Sequence, residues 1–151
     1  MSFEQQDWFM QQVEQLAEAA RRVAEALLRR EREELIEVER EADGMLAEFE
    51  HDRVALLDSR STAQLLRPPR RISHYARVLA HKAALAEALG RPEEAMQLAR
   101  RALELQLEAA ALEEDFSRVD RQAITDLLDH EPPPLLSDRY RELLDQLAAR
   151  A

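Results

Sequence analysis

Glu48 and His51 stand three residues apart in Glu48-Phe49-Glu50-His51. That spacing puts a carboxylate and an imidazole on one helical face, where both can ligate one metal ion, as in carboxylate-bridged helical bundles. Such a centre needs a second Glu-x-x-His and further glutamates from facing helices. The chain has no second copy; Glu14, Glu18, Glu37 and Glu41 are the candidate carboxylates, and a two-fold dimer would supply the missing motif. With 31 acidic residues in 151, the pair also arises as an ordinary solvated helix end, and that is the favoured reading: no metal and no cofactor are expected.

The other polar candidates carry less chemistry. His74 and His81 are seven residues apart, too far to share an ion on a straight helix, and read as two exposed or half-buried side chains. Asp129-His130 falls at a helix end, where imidazole complements the dipole, without a nucleophile beside it. Ser59, Ser61, Ser73, Ser117 and Ser137 sit where helix caps are expected, which accounts for them. No catalytic constellation emerges, so an enzyme is not expected.

Arg67, Arg70, Arg71 and Arg77 form the one basic concentration, broken by Pro68-Pro69. It offers phosphate or an acidic partner a contact, or balances the chain's own acidic helices through surface pairs of small worth. Only Tyr75 interleaves with it, which argues against a single-strand stacking platform. A net charge of -10 repels nucleic acid and anionic lipid on average. Nucleic acid is therefore not the expected ligand, and an anion or nucleic-acid contact through the Arg67–Arg77 patch is the weaker alternative. Trp8 and Phe9 must either pack into the domain, for which the last helix is the expected cover, or with Val13 form a dimer or partner contact. Trp8, Phe9, Val13, Arg67, Arg70 and Arg71 are thus the interaction candidates.

The elements that must position these residues are helical. The chain is rich in Ala, Leu, Glu and Arg, has two glycines, few aromatics and no strand-like alternation. Cysteine is absent, excluding disulfides and thiolate chemistry and fitting a reducing cytoplasm. The opening MSFEQQDWFM is acidic where a signal peptide is basic, and no apolar run reaches the roughly 18 residues of a membrane span. A cytoplasmic protein with no membrane partner is expected.

Phe9, Val13, Leu16, Ala20, Val23 and Leu27 recur in steps of four and three, one stripe of an amphipathic helix. The pattern resumes at Leu35, Val38, Ala42, Met45 and Phe49, one residue out of register. No Gly, Pro or Asn separates the two runs, leaving one long helix with a skip or a hairpin turning near Arg30. The hairpin is favoured because Glu33-Glu34 through Arg40 and Ala42 matches Glu93-Glu94 through Arg100 and Ala102 about 60 residues later. Asp58 to Ser61 offers caps for a short helix over Thr62 to Leu66, Ser73 for a helix bearing Tyr75, Val78, Leu79, Leu85, Ala86 and Leu89. Gly90 closes that helix and Pro92 opens the next, which runs to about Glu114. Asp115 or Ser117 should cap a helix holding Ile124 and Leu127, and Ser137 a last one with Tyr140, Leu143, Leu144 and Leu147.

Gly90-Arg91-Pro92 with Ala83, Ala95, Ala99 and Ala102 resembles one tetratricopeptide repeat, with Leu79 and Leu103 to Leu105 at its apolar positions. The resemblance implies antiparallel helical hairpins of the kind used for partners. A 60-residue offset departs from that family's 34-residue period, so no groove residue carries over. The opening Asp7-Trp8-Phe9-Met10, followed by Glu14-Gln15-Leu16, resembles the start of an uncharacterised bacterial family of small helical domains. The expectation is one all-α domain over 1–151 of about six helices: hairpin 4–50, connector 51–72, hairpin 73–113 and C-terminal helices 117–150. Its expected role is a non-enzymatic interaction or structural module binding a protein partner or a second copy of itself. The rival from another class is the metal protein built on Glu48 and His51.

Overall fold

A computed structural model describes residues 3–29 and 31–151, with 3–6 and 28 described by backbone alone. Among the described residues it is all-α, with eight α-helices, one 3-10 turn and no strand. The helices are α1 (Phe3–Arg29), α2 (Arg32–Ala47), α3 (His51–Val54), α4 (Ser59–Leu66), α5 (Pro69–Ala88), α6 (Pro92–Leu112), α7 (Arg121–Leu128) and α8 (Asp138–Arg150). Eight exceeds the expected six through its short helices, of which the single-turn α3 has no sequence signal. The expected turn near Arg30 lies outside the described residues; α1 ends and α2 begins on either side of it.

The α5–α6 pair forms the centre. Gly90 takes the left-handed conformation at φ 77, Pro92 stands at the first position of α6, and Glu93 and Glu94 face its positive end. α6 is covered by α5, α4, α7 and α8, while α1 and α2 pack on α5. Arg22 of α1 ties α1 to α2 through Glu34 and Glu41, both 2.6 Å away. Arg101 of α6 organises the connector, donating to the carbonyls of Leu57 (2.6 Å) and Val54 (2.9 Å) and to the Thr62 hydroxyl (2.7 Å). Arg139 pairs with the buried Glu108, and Arg150 donates to the Ala110 carbonyl at 2.8 Å, fixing α8 to α6.

Several expected caps are displaced. Ser73 lies inside α5, which Pro69 opens, and its hydroxyl donates to Gln106 Oε1 at 2.8 Å. Ser59 is the first residue of α4, buried and donating to Glu104 at 2.7 Å, while Asp58 caps by accepting from the Ser61 N–H. Asp115 caps only the 3-10 turn Phe116–Arg118; Asp120 caps α7. Ser137 stands at the start of α8 without a side-chain cap bond. α6 stops at Leu112, short of Glu114. Among the described residues no helix is long and apolar enough to cross a membrane.

Candidate interaction surface

Glu48 and His51 do not share a helical face. α2 ends at Ala47, and Glu50 adopts a left-handed conformation at φ 55, so the backbone turns between them. Glu48 accepts a hydrogen bond from Gln12 of α1, whereas His51 Nδ1 and the Tyr75 hydroxyl share one 2.6 Å long. Burial, then Lys82, lowers the His51 pKa, and burial pushes Tyr75 up to about 12. Burial thus favours the neutral form of each. Of the candidate carboxylates, Glu14, Glu18, Glu41 and Glu48 line an open groove of about 480 Å³ between α1 and α2, and Glu37 pairs instead with Arg40. His51 is not among the groove's residues. Among the described residues no three His, Asp or Glu side chains are grouped to hold a metal.

Trp8 and Phe9 are covered, but not by the last helix. Their rings meet Phe49 at the end of α2 and His74 of α5: Trp8 lies 6.1 Å from Phe49 and 6.2 Å from His74, and Phe9 lies 6.2 Å from His74. Tyr140 and Leu147 of α8 join the core beside α6 instead. His74 is buried here rather than half-exposed, and burial, reinforced by Arg77 and Arg70, lowers its pKa to about 4. A neutral ring fits an aromatic cluster where an imidazolium would be desolvated. His81 is lowered by burial too.

The basic concentration is dispersed by the fold. Arg70 stacks 4.5 Å from the centroid of Phe9, and Arg71 5.7 Å from that of Phe49. Arg77 pairs with Asp120 at 2.6 Å, leaving Arg67 exposed at the end of α4. These arginines close the aromatic cluster and fasten α7 more than they present a common anion site.

Val13 is the one apolar interaction candidate left exposed, and it belongs to a larger surface. Among the described side chains of α1, Phe9, Gln12, Ala19, Val23 and Ala26 are buried and Leu16 is half-buried. One position further on, Met10, Val13, Ala17, Ala20, Ala24 and Leu27 repeat the same 3-4-3-4-3 spacing and are all exposed, Met10 by 55%, Val13 by 41% and Leu27 by 50%. The expected stripe of Phe9, Val13, Leu16, Ala20, Val23 and Leu27 therefore mixes two. At 100° per residue the two together form, between Phe9 and Leu27, an apolar arc of roughly 200° that within this stretch is interrupted by Gln12, with Glu14, Glu18, Arg21, Arg22 and Glu25 on the remaining side. A helix needs about half that width to sit on one core. Met10, Ala17 and Ala24 escaped the sequence reading, although their spacing was the available signal.

No protein-family model, no curated protein and no solved structure matches this chain.

Proposed function

We propose that the chain is a non-enzymatic protein-interaction module that engages its partner through the outward face of α1. The observation carrying this reading is the stripe Met10, Val13, Ala17, Ala20, Ala24 and Leu27, apolar at every position and uncovered among the described residues. Isolated exposed apolar side chains are ordinary; a continuous helix-long row is an interaction signature. The hairpins are of tetratricopeptide-like form on this reading, supported by the Gly90 corner and by α1 and α2 both packing against α5.

The test is affinity capture from the organism's own cells with the wild type, a Val13→Glu, Ala20→Glu variant and a control at exposed Gln122 on α7. The reading expects proteins recovered by wild type and control and lost from the stripe variant, whose helicity by circular dichroism is unchanged. Identical recovery by all three would refute it.

A further inference from the structure

We infer that the occupant of the α1 face is a second copy of this chain, its α1 antiparallel to the first across a two-fold axis. This rests on the interaction reading above and assigns its partner. The 3-4-3-4-3 spacing reads the same in either direction, so reversing the helix brings Met10 opposite Leu27, Val13 opposite Ala24 and Ala17 opposite Ala20 of the other copy. Bulky residues meet at the two ends and alanines at the centre, where they allow close approach of the axes.

Charge gives the same answer. The flank of the stripe away from α5 carries Glu14 and Arg21, opposite charges seven residues apart and both exposed. In an antiparallel pair, like flanks face one another with direction reversed, so each Glu14 meets the other copy's Arg21, within about 3 Å of level along the axis at 1.5 Å rise per residue. Arg21 already pairs with Glu18 and, at 2.7 Å, with Glu25 on its own helix. Those are exposed pairs of small worth, and a third carboxylate adds to them. A parallel pair would instead set Glu14 and Arg21 against the opposite flank, Leu16 and Val23, which faces the protomer's own core. The antiparallel arrangement is thus the one that sets the two charged flanks against each other, and it closes as a two-fold dimer.

The stripe is about 26 Å long from Met10 to Leu27. A single helix pair of that length buries on the order of half the ~1,600 Å² of a standard interface, which places the dimer among weak, reversible associations.

The chain has no cysteine, so single-cysteine variants report geometry directly. A disulfide requires Cα atoms within about 7 Å. Mixed Met10→Cys and Leu27→Cys proteins should form a disulfide-linked dimer under mild oxidation, while neither variant cross-links alone, because like positions lie about 26 Å apart. Cross-linking of Met10→Cys alone, or none in the mixture, overturns the inference. As a second measure, Glu14→Arg should weaken dimerisation about tenfold and added Arg21→Glu should restore it; absence of rescue overturns the pairing. A monomeric wild type would sink the second-copy assignment while leaving the interaction reading intact if capture still separates wild type from the stripe variant.

Discussion

α1 and α6 are the two longest helices, and both carry more apolar surface than one neighbour can cover. α6 is enclosed: from Ala102 to Ala110 every side chain is buried except the half-buried Glu104, under α5, α4, α7 and α8. Its polar residues inside that stretch have partners. Gln106 accepts from the Ser73 hydroxyl and donates to the Ser73 carbonyl at 3.1 Å, and Glu108 takes Arg139. α1 has an arc of comparable width and, among the described residues, packs mainly on α2 and α5. Apolar excess on a helix is meaningful only against the neighbours the fold supplies. In α6 the excess is core, and in α1 half of it is surface.

The largest effect that should separate the two helices is a truncation in α6. Leu103→Ala removes a fully buried side chain and should cost about 2–5 kcal/mol in denaturant titration. Ala20→Glu on α1 should change monomer stability by no more than about 0.5 kcal/mol. Comparable losses would mean that α1's outer face is covered after all.

The covered face of α1 should respond to pH through His74. Its pKa falls from an ordinary 6.5 to about 4 in the fold, so below pH 6.5 the unfolded chain takes up a proton that the native chain refuses. Stability should therefore be full above pH 6.5, decline as pH falls toward 4, and by then have lost on the order of 3 kcal/mol from this group. His51 and His81, also lowered, act in the same direction. Melting between pH 7 and 5, where most carboxylates remain ionised, should show the slope, and His74→Gln should flatten it. An unchanged slope would remove His74 from the account of the α1–α5 seam.

The corners leading out of the two hairpin arms differ in the same instructive way. Gly90→Val should cost about 1 kcal/mol or more, all of it from the backbone at φ 77, since an added Cβ meets nothing within 4 Å. At Glu50, where φ is 55 in a residue that pays the Cβ penalty, Glu50→Gly should leave stability unchanged or raise it by up to about 1 kcal/mol. Equal losses at both would contradict the assigned conformations.

These corners also show what was legible in the chain. Gly90 and Pro92 announce their corner because only those residue types suit it, and α6 begins where they indicate. Glu50 announces nothing: glutamate is a helix former, and tertiary packing of Phe49 and Val54 overrides it. That is why the Glu48–His51 spacing failed to become a shared face. In α1 the spacing was readable but its direction was not, because the core side includes Gln12, Ala19 and Ala26 while Val13 and Leu27 point outward. Hydropathy alone ranks those the other way. Ser59 and Ser73 look like caps, and only their tertiary acceptors Glu104 and Gln106 reveal another use.

That two copies of this chain associate through the outer face of α1 is checked by sedimentation equilibrium of wild type and Ala20→Glu at several protein concentrations. The wild type should move from monomer to dimer across the micromolar range, and the variant should remain monomeric with unchanged helicity. A wild type that stays monomeric to ~100 μM, or a variant that dimerises as well as the wild type, would contradict it.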